Sequence, residues 1–453
     1  MKVSVIVLVI VGVTEQSLYR NSNLIISRID SNFYSVVNPF MPNGLKVINQ
    51  NQFAVLELID GKTDVAQLAL KTGFSQEDIL NVIKIFEEKN FVSSTNAFFT
   101  PDWNTDVKSI NFWIHTTNDC CLRCSYCYIH TLGLKDFISK ETIEKLCDKI
   151  IETAQKKQLK KVSLRLAGGE PFMKFKLWQP YLLTLKRKLK DLDCNLHITF
   201  LTNLVLLNNE IINFIKENQF GIGVSLDGID KFQNNTRHFE NGNGSFEIVS
   251  KNIQQLIDNN VDFGIMSVVS NANLDGLGEL AKFIIDKKLR FRFSFVQGAG
   301  LNIEKTIKNL KRCYDLFLNA IDNGYEFTKY HSLCDLKFSE PFFQTCSSGF
   351  NGGAIYTDGN IYFCHKSFGT DTPNGSIFEE DDLLSVIQKK TYYNEVHQNC
   401  KECNLRYICT SGCPLERENG KDPHCEVYKE IVPIVYKLIG KEKLIKIKKH
   451  YSC

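Results

Sequence analysis

Along the chain, the pattern of apolar positions shifts twice. From Gln52 to Phe91 they recur at helical spacing in three short runs, "FAVLELIDG", "DVAQLALKTG" and "SQEDILNVIKIFEEKNF". Thr63 and Ser75 stand where the second and third runs need N-caps, and Gly61 and Gly73 where the first two need stops. Ahead of them, "SNLIISRIDSNFYSVVNP" alternates like a hairpin. Strands and then three small helices predict an α+β module over residues 1–100. The first thirteen residues, "MKVSVIVLVIVGV", are apolar and β-branched. No small-residue cleavage site follows and the run is too short to span a bilayer, so a buried strand is expected.

Between residues 107 and 325 the pattern becomes a regular alternation. Six strand-like runs, "INFWIHTT", "VSLRLAGG", "LHITFLTN", "GIGVSLDG", "FGIMSVVS" and "FRFSFVQ", are mostly followed by helical patterns such as "SKETIEKLCDKIIETAQ". Six such units mean parallel strands with helical crossovers, an α/β fold. Six are too few to close an eight-fold barrel, so a partial (β/α)6 barrel is expected. Ligands on such sheets bind at the carboxyl ends of strands.

From about 340 to 430 the periodicity gives way to cysteines and glycine-rich turns, as in "CSSGFNGGAIYTDGNIYFC". Residues 431–453 form a basic amphipathic segment, expected as a helix packed on the core. The chain has 54 basic and 51 acidic residues. Such a balance gives no field for nucleic acid or an anionic membrane, and neither is expected as a partner. Most of the sixteen cysteines sit at short fixed spacings, which points to metal ligation in a reducing compartment, here read as the cytoplasm.

The stretch "CCLRCSYC", residues 120–127, follows the first of the six strands. From Cys121 it is C-x2-C-x2-C, the start of a ferredoxin-like run. From Cys120 it is C-x3-C-x2-C, three thiolates that would leave one iron of a 4Fe-4S cluster open. With Tyr126 inside the motif and "AGGEP" ending the second strand, the segment resembles the radical S-adenosylmethionine (SAM) superfamily. The resemblance implies that Cys120, Cys124 and Cys127 hold the cluster, that Cys121 is a bystander, and that SAM chelates the open iron. Reductive cleavage of SAM would yield a 5′-deoxyadenosyl radical, chemistry that belongs to the cofactor. It further implies that Gly168, Gly169 and Glu170 receive the SAM amino group, the carboxylate pairing with the ammonium. Asn203 is expected near the ribose and Ser225 at the SAM carboxylate, with Arg237 adding charge there. Asp227 reads as a turn-former.

The second field runs Cys346, Cys364, Cys400, Cys403, Cys409, Cys413 and Cys425. It is similar to the SPASM extension behind radical SAM domains that modify peptides and proteins; paired C-x2-C also occurs in zinc ribbons. The resemblance implies three 4Fe-4S clusters in all. Cys346, Cys364 and Cys413 would bind the first auxiliary cluster, with Cys334 or a substrate donor as fourth ligand. Cys400, Cys403, Cys409 and Cys425 would bind the second. Cys147, Cys194 and Cys313 read as core residues. His365 stands where sulfatase-maturing relatives carry an aspartate base, which counts against that activity.

The N-terminal module resembles winged-helix modules that recognise leader peptides of ribosomally made natural products, taking the leader as an added strand. A DNA-binding winged helix would want a basic recognition helix, and "SQEDILNVIKIFEEKN" is slightly acidic. The expectation is therefore a radical SAM/SPASM peptide maturase. It would bind a precursor peptide, leader plus core, draw electrons from a reductant such as flavodoxin or ferredoxin, and install a thioether or carbon–carbon crosslink. The alternatives are a sulfatase-maturing-type side-chain oxidase and an iron–sulfur DNA-binding redox sensor.

Overall fold

The computed structural model describes residues 17–103, 105–131, 136–298, 300–379, 381–391 and 398–451. The apolar run at the N-terminus and Cys453 lie outside them. The chain opens with β1 (Tyr19–Arg20), β2 (Ile25–Arg28), β3 (Phe33–Val37) and β4 (Leu45–Asn49). Strands β2, β3 and β4 form an antiparallel sheet, adding a third strand to the expected hairpin. Helices Gln50–Leu58, Val65–Thr72 and Gln76–Glu88 follow, and then β5 (Val92–Ser93), which pairs with β1.

Ser75 caps the third helix, accepting from the Asp78 N–H at 3.1 Å, and Gly73 closes the second at φ +75°. Two expected caps are displaced. The second helix is capped by Asp64 rather than Thr63, because Asp64 and Gln67 complete a reciprocal capping box. The first helix stops at Ile59; Gly61 lies in the next turn at φ +87°, where a Cβ would stand 2.7 Å from the Tyr19 ring.

The remaining strands are β6 (Ser109–His115), β7 (Leu122–Cys124), β8 (Lys161–Ala167), β9 (Asn195–Thr202), β10 (Gly221–Ser225), β11 (Arg237–Phe239), β12 (Phe263–Val269), β13 (Arg290–Phe295), β14 (His331–Leu333), β15 (Gly352–Ile355), β16 (Asn360–Tyr362) and β17 (Gly375–Ser376). All six expected barrel strands are present: β6, β8, β9, β10, β12 and β13 lie side by side in that order and parallel. Alternation sorts their side chains. Along β6, Ile110, Phe112 and Ile114 are buried against the helical layer, whereas Asn111 and Trp113 face a central lumen.

The sheet does not end with the sixth strand. On one edge β14 pairs parallel with β13; on the other β15 pairs parallel with β6 and is followed by antiparallel β16 and β17. The hairpin of the cysteine-rich segment thus continues the barrel sheet to ten strands. Its register sets the spacing of the two cysteine fields. Gly352 pairs with Asn111, near the start of β6, so Cys346 and the end of β16 lie at the opposite end of that strand from residues 120–127.

The C-terminal helix, Cys425–Tyr451, begins six residues before the expected boundary at 431. It packs against helix Ile303–Asp322 on one side and against the β2–β3–β4 sheet on the other. Ser27 and Ser35 donate from that sheet to the carbonyls of Pro433 and Tyr436 at 2.8 and 2.9 Å. Ile25, Val37 and Leu45 consequently belong to the main core, while Tyr34, Val36 and Ile48 form a second core with the three small helices. Both faces of the N-terminal sheet are buried.

Gly440 is the close-approach point of this junction. A Cβ there would stand 2.6 Å from Ser35 Cβ and 3.1 Å from Ile29 Cδ1. Gly440→Leu is expected to wedge the sheet off the helix at a cost of about 1–3 kcal/mol, read as a lower urea midpoint. An unchanged or higher midpoint would mean that the junction does not contribute to stability.

Candidate active site

The polypeptide leaves β6 into residues 116–127, a loop with little apolar surface of its own. Backbone hydrogen bonds hold it in place. The N–H groups of Gly169 and Glu170 donate to the carbonyls of Thr117 and Asp119 at 2.6 and 2.8 Å, and Ser125 N–H donates to Thr236 at 2.9 Å. Strand β7, inside the loop, pairs antiparallel with β11 so that Cys124 faces Arg237. The glycines of "AGGEP" are needed for this packing as much as for any ligand. Gly168 sits at φ +133° with Thr117 O 2.5 Å from where a Cβ would be, and a Cβ on Gly169 would overlap the Asp119 carbonyl.

One carboxylate ties these pieces together. Asp227, at the end of β10, has no exposed surface. Its Oδ2 accepts from Tyr126 Oη, from Arg237 Nε at 2.9 Å and from Thr236 Oγ1 at 3.0 Å, and its Oδ1 accepts from Val268 N–H at 2.9 Å. Its own N–H donates to Gln233 and its carbonyl accepts from Asn273. Arg237 completes the arrangement, its Nη1 3.8 Å from Cys124 Sγ and its guanidinium 5.4 Å from the Tyr126 ring centroid. Burial pushes the Cys124 thiol up to about 11, and the Arg237 charge works against that rise. The reading of Asp227 as a turn-former is corrected by this geometry: it is the buried hub of the site.

Glu170 also departs from expectation. Its carboxylate is fully buried and accepts from Phe172 N–H (3.1 Å), Thr202 Oγ1 (2.7 Å) and Asn203 N–H (2.8 Å). Burial pushes its pKa up to about 7, and these donors oppose the rise. It therefore ties the end of β8 to the end of β9 and does not face the cavity, so pairing with a ligand ammonium does not fit this geometry.

The cavity itself measures about 760 Å³, in the range of a site for a cofactor with part of a substrate. Cys120, Cys124 and Cys127 line it at one end, as do Tyr126, Gly168, Gly169, Asn203, Ser225 and Arg237. Cys121 does not; it turns instead toward Asn203, whose Nδ2 lies 3.4 Å from its sulfur. Of the two registers open to "CCLRCSYC", the lining thiols are those of C-x3-C-x2-C.

Cys346, Cys364 and Cys413 line the same cavity. Lys366 Nζ lies 3.6 Å from Cys413 Sγ and pairs with Glu416 at 3.0 Å. His365 is stacked on Trp113, centroids 4.1 Å apart, with Nδ1 3.5 Å from Cys364 Sγ. Sequence reading missed that stack, which joins positions 252 residues apart. Cys334 also reaches the cavity wall, and burial pushes its thiol up to about 12, with the Arg292 charge and Tyr428 working against the rise. Cys400, Cys403, Cys409 and Cys425 ring a separate small cavity of about 20 Å³. Among the described residues no three His, Cys, Asp or Glu side chains converge as ligands of a single ion. Cys147, Cys194 and Cys313 are buried in the core, as expected.

Residues 114–284 match the model of the radical SAM superfamily. That segment is a radical SAM domain, and the chain is an enzyme. Similar proteins include a cysteine-type anaerobic sulfatase-maturating enzyme of Clostridium novyi, 25% identical over 355 residues that cover 71% of this chain and 94% of that protein. The radical SAM cyclopropyl synthase TigE of Paramaledivibacter caminithermalis is 21% identical and covers more, 92% of this chain and 91% of its own. A solved structure of native anSMEcpe with bound AdoMet superposes with a TM-score of 0.63 at 21% identity, over 74% of this chain and 99% of that one, a likeness of fold. A radical SAM domain implies a 4Fe-4S cluster and SAM. Three thiols on one cavity wall, next to strand ends opened by glycines, fit both. Among the described residues no helix is long and apolar enough to cross a membrane.

Asp227→Ala would leave Arg237 buried and unpaired, so a loss of about 3–5 kcal/mol is expected in urea unfolding, with Asp227→Asn losing less. A loss below about 1 kcal/mol would mean that the hub is replaceable.

Proposed function

We propose that this radical SAM enzyme is a peptide maturase that installs an intrapeptide crosslink, thioether or carbon–carbon, in a ribosomally made precursor. The observation that carries the reading is the shared cavity. Thiols suited to the SAM cluster and thiols suited to an auxiliary cluster face one space, so a substrate held there meets a radical source on one side and an electron acceptor on the other. When bound, the cluster and SAM supply reductive cleavage and a hydrogen-abstracting radical.

The protein's own residues bind and orient. Cys120, Cys124 and Cys127 would hold the SAM cluster, while Asp227 fixes Tyr126 and Arg237 beside it. Gly168, Gly169, Asn203 and Ser225 line the space where SAM would lie. Cys346, Cys364 and Cys413 would hold a first auxiliary cluster, and Cys400, Cys403, Cys409 and Cys425 a second, giving three. Cys334 reaches the same cavity wall as Cys346, Cys364 and Cys413; in this reading it is not a ligand, and the fourth position of the first auxiliary cluster is filled by a donor from the substrate, such as a cysteine thiolate. The N-terminal sheet, with β2 and β4 each having one neighbour, would take the leader as an added strand. The similarity to the radical SAM cyclopropyl synthase TigE covers 92% of this chain and so reaches beyond the radical SAM domain into this module. An external one-electron donor such as flavodoxin or ferredoxin and a cytoplasmic setting complete the reading.

A second reading, a sulfatase-maturing-type oxidase, is favoured by the relative from Clostridium novyi. Against it stands position 365, where the sequence has histidine, its ring stacked on Trp113 and its Nδ1 3.5 Å from Cys364 Sγ.

The test is anaerobic reconstitution. Wild type should carry roughly twelve iron per chain, release 5′-deoxyadenosine under dithionite, and remove two hydrogens from a precursor encoded beside it. Replacing Cys120, Cys124 and Cys127 together by alanine should leave about eight iron and no SAM cleavage. Cys121→Ala and Cys334→Ala should each keep the full complement. Iron lost from Cys121→Ala but kept in Cys120→Ala would reverse the register. Iron lost from Cys334→Ala would close the first auxiliary site.

A further inference from the structure

Alternation along the barrel strands gives the lumen its own chemistry, and one lumen residue has no role in the sites above. Arg165 lies in β8, with Trp113 of β6 and Thr199 of β9 in register on either side, and all three line the cavity. The rung holding Trp113 also carries the stack on His365, next to Cys364. Arg165 therefore lies in the lumen between the two cysteine fields.

The cations of the cavity wall differ in their pairing. Arg237 pairs with Asp227, Arg290 with Asp262 at 2.6 Å, Arg292 with Asp335 at 2.9 Å and Lys366 with Glu416 at 3.0 Å. Among the described residues Arg165 alone of the lining lysines and arginines has no carboxylate within ion-pair distance, and its guanidinium makes no side-chain hydrogen bond. Asp335 lies near enough to favour its charge but bonds to Arg292, leaving two guanidiniums to one carboxylate. Arg165 is exposed to the open lumen, where solvent screens its charge; a substrate that displaced that solvent would leave the guanidinium without a counter-charge unless the substrate brought one.

We infer that Arg165 is a specificity-determining residue that pairs with a carboxylate of the substrate, from an acidic side chain or a free C-terminus, held between the two cysteine fields. The guanidinium is a planar fork that takes a carboxylate through two parallel bonds, which fixes orientation as well as position. A site built around such a fork discriminates strongly against a neutral amide of the same shape, because the amide leaves the charge unpaired. That the carboxylate arrives on a peptide rests on the maturase reading; the subsite itself does not.

The test uses the reconstituted, SAM-loaded enzyme and four probes titrated anaerobically by ligand-observed NMR: acetyl-Gly-Glu-Gly amide, its Gln counterpart, acetyl-triglycine with a free C-terminus, and glutarate. On wild type the Glu peptide, the free-C-terminus peptide, or both should bind at least tenfold tighter than the Gln peptide, and which of them does names the source of the carboxylate. In Arg165→Gln the preference should fall to within twofold while iron and sulfide per chain stay at wild-type values. Arg165→Lys, which keeps charge but not the fork, should retain only part of the preference. Equal binding of all peptides to wild type, or a preference that survives in Arg165→Gln, overturns the proposal. So does iron lost from Arg165→Gln, which would make Arg165 a counter-charge for the auxiliary cluster. Glutarate binding that depends on Arg165, with no peptide binding, would keep the carboxylate subsite and remove the peptide reading.

Discussion

A loop that must present three thiols to a cavity cannot also be stabilised by its own hydrophobic core, and the buried charge of Asp227 supplies what that loop lacks. A carboxylate without exposure is normally a liability, since desolvation of an unpaired charge costs several kcal/mol. Here four donors converge on it, one of them the Arg237 guanidinium, so the charge is both compensated and geometrically defined. The donors come from the cysteine loop, from β11 and its approach, and from β12. The loop is thereby fixed to strand ends that are themselves fixed by the sheet. Glu170 does the corresponding work between β8 and β9. Two buried carboxylates, one neutralised by a cation and one held near neutrality by burial, set the upper rim of the barrel.

Below that rim the decisive feature is that the barrel is incomplete. Six parallel strands curve around a lumen that helices do not fill, and small lumen residues such as Gly223 and Gly264 keep it open. The space is then closed from the side by β15–β17 and from below by the second cysteine field. Because β15 joins β6 in parallel register, the cysteines of the second field are positioned by the same sheet that positions those of residues 120–127. Their separation is set by a strand of seven residues, a rigid spacer. Groups held by the two fields would keep their distance whatever fills the cavity between them.

Much of this was legible in the sequence because it is local or periodic. The six strands announce themselves by β-branched runs at βα spacing, and each is found where the runs lie. The thiols of both fields stand out by spacing and resemblance, and those that reach the large cavity were all named, Cys334 as a candidate fourth ligand and Cys409 as a member of the second set that also touches its wall. What was not legible depends on pairs far apart in the chain. Tyr126 meets Asp227 across 101 residues, and the Glu170 acceptors face donors 32 and 33 residues on. A lone aspartate after a strand looks like any turn residue until its partners are known. The same limit explains the domain edges. Periodicity marks where textures change at 100, 340 and 431, but not that the cysteine-rich hairpin would join the barrel sheet or that the last helix would begin at Cys425.

That last helix also shows how the parts are held in register. It starts at a cysteine of the small four-thiol cavity, runs along helix Ile303–Asp322, and receives the N-terminal sheet through Ser27 and Ser35 near its middle. Gly440 lets that sheet approach to backbone distance, so the module is seated on the helix rather than tethered to it. A peptide segment added at an edge of the sheet would therefore enter at a fixed place relative to the cavity, and its downstream residues would reach the lumen over a defined length of peptide. Such a helix transmits position and carries no switch of its own; coupling between leader and chemistry would need a second arrangement of the junction, and a packed glycine contact between two buried faces disfavours one. On the proposed function such a junction would act as a ruler, the number of residues between the bound segment and the lumen selecting the residue that reacts.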